Sequence, residues 1–167
     1  MKKILIINTG GTFNKIYNSI SGELYIDISQ KALRSISEHW INQLDFIDII
    51  NKDSLNMDKD DRKEILQTIK ESNYKSIIIV HGTDTIDKTA QYLDDAKLKK
   101  EIVLTGAMIP FSINPIESTA NLTSAYGYLQ GVNKDGVYIV LNGKMGLHSQ
   151  IKKNREKGFF EKKETPK

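Results

Sequence analysis

Two short segments carry residue types that could do chemistry. Residues 9–12 read Thr-Gly-Gly-Thr and residues 81–85 read His-Gly-Thr-Asp-Thr. Each sets hydroxyls beside glycine, whose missing side chain lets the backbone approach a ligand closely. A threonine hydroxyl becomes a useful nucleophile when a neighbouring group takes its proton. The two segments are therefore the first candidates for a site built from threonine hydroxyls and a carboxylate.

The glycines of the first segment do not form a nucleotide-binding pattern. A dinucleotide fingerprint needs a third glycine at residues 13–15, which read Phe-Asn-Lys here. A phosphate-binding loop would need Gly-Lys followed by Ser or Thr, and this also does not follow. We therefore expect no nucleotide cofactor.

The elements that must position these segments alternate between two patterns along the chain. Apolar runs predict strands at residues 3–8, 46–51, 76–81, 102–105 and 136–141. Helical patterns lie between them at residues 30–44, 58–72, 85–96 and 114–129. This alternation predicts an open, mostly parallel, doubly wound sheet with helices on both faces, a Rossmann- or flavodoxin-like three-layer α/β/α domain.

Ligands of such sheets bind outside the carboxyl ends of the strands. Glycines, hydroxyls or polar side chains follow every predicted strand, at residues 8–12, 52–54, 81–84, 105–108 and 141–143. Loops favour these residue types, so a single strand exit could be turn chemistry alone. Their agreement across five exits predicts a site at this edge of the sheet.

Four segments together resemble the bacterial-type asparaginase/glutaminase family. They are residues 9–12, 81–85, 104–110 and 120–122, which recur in that family in this order and at similar spacing. The resemblance covers about residues 1–155 and corresponds to the family's amino-terminal domain. It implies an amidohydrolase that converts the side-chain amide of L-asparagine to L-aspartate and ammonia without a cofactor or metal, with L-glutamine as the alternative substrate.

The resemblance also implies roles for single residues. Thr12 matches the nucleophile, and Tyr25, on a segment that forms a mobile lid in the family, matches the tyrosine that assists it. Tyr17 is close enough to be confused with Tyr25, and a tyrosine here could also simply cover the edge of the core. Thr83 and Asp84 match part of a second catalytic group.

A downstream lysine completes that group in the family. Spacing from Asn142 selects Lys153, and a slip of one residue would select Lys152. The implied substrate contacts are Gly11, Thr83, Asp84 for the α-ammonium group and Ser54 for the α-carboxylate. Ser54 could instead be a turn or helix-start hydroxyl.

Two departures from the family pattern allow a second interpretation. Leu55 stands where many members carry a polar residue that helps to hold the substrate's amino group, and the family's carboxy-terminal domain has no counterpart in this sequence. The chain could therefore be a catalytically silent amino-acid-binding module, a sensor or partner domain. The presence of Thr12, Tyr25 and Thr83 favours the enzyme.

The amino-acid composition argues against several other classes of function. Lys and Arg number 24 against 21 Asp and Glu, so the net charge of +3 gives no reason to expect a nucleic-acid partner. The basic excess lies near the end, so residues 156–167 are predicted to be a solvated basic tail after a single domain. The lack of cysteine excludes thiolate metal sites, and three scattered histidines do not suggest a metal.

We also expect a cytoplasmic protein that does not enter membranes, because no apolar run approaches roughly 20 residues. The family builds its sites at subunit contacts, so the resemblance implies a homodimer or a higher homo-oligomer. Five apolar residues are the candidates for that contact, with burial in the core as the alternative for each: Phe111, Ile113, Ile116, Phe159 and Phe160.

Overall fold

The computed structural model describes residues 1–40 and 44–163. Its strands are β1 (Ile4–Gly10), β2 (Lys15–Tyr17), β3 (Leu24–Ile26), β4 (Asp45–Lys52), β5 (Ser76–Val80), β6 (Glu101–Thr105), β7 (Gly136–Leu141), β8 (Lys144–Leu147), β9 (Ile151–Asn154) and β10 (Phe159–Lys162). The helices are α1 (Lys31–Glu38), α2 (Lys59–Glu71), α3 (Ile86–Asp95) and α4 (Pro115–Gly131).

The central sheet has six strands in the order β4-β1-β5-β6-β7-β8. The first five are parallel to their neighbours, and β8 is antiparallel to β7. Asn142 and Gly143 connect β7 to β8, both with positive φ, as a tight two-residue hairpin turn requires. The prediction of an open, mostly parallel sheet is therefore confirmed.

The two faces of the sheet bury different side chains because successive strand residues point to opposite sides. On one face, Ile7, Ile79 and Leu104 pack with apolar residues of α2 and α3. On the other, Ile6 and Val80 pack with apolar residues of α1 and α4. Helices therefore cover both faces, as the three-layer prediction requires.

The starts of two helices follow local sequence signals. Asp58 accepts hydrogen bonds from the N–H groups of Asp60 and Asp61, and the Asp61 side chain returns a bond to the Asp58 N–H, which is a capping box at the start of α2. Asn114 caps α4, and Pro115 occupies its first position, where its missing N–H costs nothing.

Helix α1 is shorter than the predicted span of 30–44. It ends at Glu38, and the N–H groups of His39 and Trp40 bond back to Ile36 and Ser37 in a tightened last turn. Leu44 is not helical but is buried just before β4. Residues 41–43 of the predicted helix lie outside the described residues.

The prediction of a solvated tail from residue 156 is wrong for residues 159–162. These residues form β10, which pairs antiparallel with β9. Alternation turns Phe160 into the core, where it is 1% exposed, and Phe159 outward, where it is 40% exposed. The buried side chain of Phe160 packs this strand against the domain; residues 164–167 lie outside the described part of the chain.

Candidate active site

Three loops meet at the carboxyl edge of the sheet with almost no space between their backbones. Gly11, at φ 74°, lies so close to Gly82 that an added Cβ would be 2.5 Å from the Gly82 backbone. A Cβ on Gly82 would be 2.7 Å from the Ser54 side chain. Glycine is therefore required at both positions, and it brings the loops after β1, β4 and β5 together.

Ser54 is buried beneath the third of these loops. It is 1% exposed, and Thr85 donates its N–H to Ser54 Oγ at 3.3 Å and its hydroxyl to the Ser54 carbonyl oxygen at 2.8 Å. A hydroxyl can donate one hydrogen bond and accept two. Ser54 therefore fixes the position of Thr85, a long-range contact that differs from the predicted turn or helix-start role, which Asp53 fills here, and the Ser54 O–H donates to no group among the described residues.

Four residues form a polar network that fixes the Thr85 side chain, and we call it the His81 network: His81, Thr85, Thr89 and Arg62. Arg62 on α2 donates to the hydroxyls of Thr89 and Thr85, at 3.2 and 3.4 Å. His81 Nε2 lies 2.9 Å from the Thr89 hydroxyl, and Nδ1 lies 2.7 Å from the Gly82 carbonyl oxygen. Burial lowers the pKa of His81 to about 4, so the ring is neutral and structural at pH 7.

Thr83 and Asp84 follow directly and contact a lysine from β9. Lys153 Nζ donates to Thr83 Oγ1 at 2.9 Å and to Asp84 Oδ1 at 2.8 Å, with only 12% of the lysine side chain exposed. Arg155 also contacts Asp84. Thr83 is 5% exposed, and its hydroxyl lies 3.2 Å from the sulfur of Met108.

The two lysines that sequence spacing left open point in different directions. Lys153 contacts Thr83 and Asp84, whereas Lys152 pairs with Glu161 of β10 at 3.2 Å and is 51% exposed. Alternation along β9 accounts for the difference, because adjacent strand residues face opposite sides.

The Thr12 side of the site is more open. Thr12 begins a short 3-10 turn and is half-buried, between the buried residues Gly11 and Phe13. Tyr25 on β3 is 49% exposed and lines a surface pocket of about 520 Å³ with Asp53 and Leu55. Within the described residues, no side-chain hydrogen bond joins Tyr25 to Thr12, the pair predicted to act together.

A charged pair lies at the base of the same pocket. Lys15 Nζ donates to Asp53 Oδ2 at 2.7 Å, and Leu55 donates its N–H to Asp53 Oδ1 at 3.1 Å. Burial alone would raise the pKa of Asp53, but these hydrogen bonds and the positive charges of Lys15 and Lys153 lower it below its ordinary value. Asp53 is therefore an anion beside Ser54.

Comparison with known proteins decides the family. The protein-family model described as the amino-terminal domain of asparaginase matches residues 3–163 of this sequence. The chain belongs to this family. An L-asparaginase from Thermococcus kodakarensis is 28% identical over 164 residues, which is 94% of this chain and 49% of that protein. A probable L-asparaginase 4 from Schizosaccharomyces pombe is 29% identical over 140 residues, 79% of this chain and 38% of the relative.

Solved asparaginase structures have the same fold. The thermostable L-asparaginase of Thermococcus kodakarensis superposes with a TM-score of 0.83 at 24% identity, covering 99% of this chain and 52% of that one. A probable cytoplasmic L-asparaginase from Campylobacter jejuni gives 0.75 at 26% identity, covering 97% and 52%. The chain thus spans about half the length of these asparaginases, or less.

Sequence reasoning missed several residues that shape this asparaginase-type site. Glu117 on α4 accepts from the N–H groups of Met108 and Ile109 and from the Asn142 side chain, which holds the loop after β6. Asn121 links that loop to Asn142. The Asn121 segment was visible as a family motif, but no local pattern indicated Glu117, Arg62 or Arg155.

Two kinds of feature were not found among the described residues, a cluster of metal-binding side chains and a membrane-spanning helix. No group of three or more histidine and carboxylate side chains among residues 1–40 and 44–163 could hold a metal ion. No helix in the described part of the chain is long and apolar enough to cross a bilayer.

Proposed function

We propose that this chain forms the site of an L-asparaginase-type amidohydrolase, which hydrolyses the side-chain amide of L-asparagine to L-aspartate and ammonia through Thr12. The observation that carries the proposal is the contact of Lys153 with both Thr83 and Asp84, directly beside the glycine loop that bears Thr12. An amine in contact with a hydroxyl and a carboxylate is an arrangement that acyl-transfer chemistry uses.

The reaction takes two steps in this proposal. Thr12 Oγ1 attacks the amide carbon of the substrate, Tyr25 assists the transfer of its proton, and the C–N bond breaks to release ammonia. Water, activated by the hydroxyl of Thr83 with Lys153, then attacks the resulting ester and releases aspartate and free Thr12. Backbone N–H groups beside Gly11 stabilise the negative oxygen that develops in each step.

The substrate's backbone groups bind on the opposite side of the site. Asp84 receives the α-ammonium group, and the free O–H of Ser54 donates to the α-carboxylate. Two features support this proposal: Ser54 is buried and its O–H donates to no group among residues 1–40 and 44–163, and Asp84 lies two residues after Gly82, which packs against Ser54. Leu55 is 68% exposed and gives the adjoining pocket wall an apolar side chain.

Assembly and location remain predictions. A homodimer or a higher homo-oligomer is the proposed state, and of the five apolar candidates Ile113 and Ile116 are exposed at 59% and 73%, whereas Phe160 belongs to the core. Phe111 packs against the cluster on the α4 side of the sheet and is half-buried. A cytoplasmic location is proposed on the same family basis.

Ammonia release from L-asparagine tests the function. We expect turnover by the wild-type protein, a loss of about 10³-fold or more in Thr12→Ala, and a severe loss in Thr83→Val, which keeps the shape but deletes the hydroxyl. Thr123 is exposed on α4, so Thr123→Ala is the matched control and should keep full turnover. Near-normal turnover in Thr12→Ala would remove Thr12 from the mechanism.

The second candidate is an amino-acid-binding module without catalysis. The observation that favours it is the open Thr12 side, where the described residues show no side-chain hydrogen bond between Tyr25 and Thr12. A module would bind L-aspartate through Ser54 and Asp84 without releasing ammonia from either amide. Calorimetry with L-aspartate alongside the ammonia assay separates the two candidates.

A further inference from the structure

Asp84 is held by two cations. Lys153 Nζ and Arg155 Nη1 bind the same carboxylate oxygen, Oδ1, at 2.8 and 3.1 Å. Arg155 Nη2 also donates to the Asp84 backbone oxygen at 2.7 Å. The guanidinium of Arg155 therefore contacts both the side chain and the backbone of Asp84. The planar fork of donors on an arginine suits such a two-point contact.

The ion pairs at the site leave an excess of positive charge. Asp53 is matched by Lys15, whereas the single negative charge of Asp84 faces both Lys153 and Arg155. A ligand's α-ammonium group would have to approach the same carboxylate beside the guanidinium. Since like charges at short range repel, Arg155 works against the contact that Asp84 offers.

We propose that Arg155 is a specificity-determining residue, which reduces the preference of the site for ligands that carry an α-ammonium group. The site then discriminates less between amino acids and the dicarboxylates or ω-amides that lack the amino group. This inference rests on the proposed function, because it uses Asp84 as the ammonium-binding group.

The expected effect is moderate because the arginine is partly solvated. Its side chain is 60% exposed, and that of Asp84 is 34% exposed, so water screens the repulsion. At a charge separation of roughly 5 Å in such surroundings, removing one positive charge should change ammonium affinity about three- to tenfold.

Two ligands isolate the contribution of the α-ammonium group to binding. L-Aspartate and succinate share the four-carbon skeleton and both carboxylates, and they differ by the α-ammonium group. Their dissociation constants, measured by calorimetry, give an aspartate-to-succinate affinity ratio in which contacts to the carboxylates cancel. The ratio is measured for the wild-type protein and for Arg155→Gln, Arg155→Lys and Lys157→Gln. Lys157→Gln removes an exposed charge two residues away and is the matched control.

The ratio should rise about three- to tenfold in Arg155→Gln, and it should keep its wild-type value in Arg155→Lys and Lys157→Gln. An unchanged ratio in Arg155→Gln would overturn the proposal, as would an equal rise in Lys157→Gln or the absence of binding of both ligands to all four proteins.

Ammonia release separates this outcome from that of the proposed function. If the ratio shifts as expected but no protein hydrolyses L-asparagine, the specificity role stands and the amidohydrolase proposal fails. If wild-type protein hydrolyses L-asparagine and the ratio does not move, the amidohydrolase stands and the role of Arg155 fails. Succinamate, the desamino analogue of asparagine, gives the same comparison in turnover.

Discussion

The Thr83 side and the Thr12 side of the site differ in how completely the surrounding chain holds their side chains. Thr83 is 5% exposed and its hydroxyl has a lysine donor at 2.9 Å, and the His81 network fixes the loop beneath it. Thr12 has a well-held backbone, since its neighbour Phe13 is fully buried, but its proposed partner Tyr25 is half exposed.

This difference shows which part of the site is preorganised within the described residues. Groups whose rotamers are locked by packing and hydrogen bonds keep a reactive geometry before the ligand arrives. The Thr83 side meets that condition. On the Thr12 side, the described residues show no hydrogen bond between Tyr25 and the proposed nucleophile, and Tyr25 is half exposed.

The largest effect should come from breaking the preorganised side at its lysine. Lys153→Met removes the amine that contacts Thr83 and Asp84 and keeps the length of the side chain, so ammonia release should fall about 10²- to 10⁴-fold. Lys152→Met is the matched control, because Lys152 pairs with Glu161 instead, and it should stay near wild-type turnover. Equal losses in both variants would show that charge near the site matters and the specific contact does not.

The His81 network should give the preorganised side a pH-dependent stability. The pKa of His81 is about 4 in the folded protein, against an ordinary value of 6.5, so between these values the unfolded chain binds a proton that the folded chain does not. The free energy of unfolding should therefore decrease as pH falls, by about 2 kcal/mol between pH 7.5 and pH 5 from this group.

Urea unfolding at several pH values measures this contribution. Carboxylates titrate in the same range, so the test compares the free energy of unfolding of the wild type with that of His81→Gln. The difference between these two free energies should become smaller as the pH falls. His39→Gln, at an exposed histidine, should follow the wild-type profile. If His81→Gln fails to fold, NMR titration of the three histidine rings in the wild-type protein tests the prediction instead. The prediction is refuted if all three rings, including that of His81, titrate near 6.5.

The sequence predicted the central sheet well because four of its parallel strands, β1, β5, β6 and β7, are short, apolar and almost entirely buried, and the partly exposed edge strand β4 still carries an apolar run. It missed the short strands β2, β3, β8, β9 and β10, which have only three or four residues each and no long apolar run, although each pairs with a neighbour along the chain. The Asn142-Gly143 pair was an available signal for the β7–β8 hairpin, since both residues tolerate positive φ. Phe160 was readable as apolar, but only the folded core shows where it packs.

The candidate site was predictable to the extent that it lies in contiguous motifs. Thr83 and Asp84 were found this way, and family spacing added Lys153. The contact between Arg155 and Asp84 joins residues 71 positions apart. Arg62 reaches Thr85 from another helix. Such long-range pairs depend on how the elements pack, and no local pattern in one sequence encodes them.

The smallest effect should come from the open side, at Tyr25. Tyr25→Phe deletes a hydroxyl that forms no hydrogen bond among the described residues, so the free energy of unfolding should change by less than about 0.5 kcal/mol. If the hairpin closes on the substrate, turnover should still fall about tenfold or more, with L-aspartate affinity unchanged. Tyr17→Phe, at the neighbouring exposed tyrosine, should change neither quantity. A loss of turnover in Tyr17→Phe but not in Tyr25→Phe would transfer the assisting role to Tyr17, and full turnover in both would leave Thr12 without a tyrosine partner.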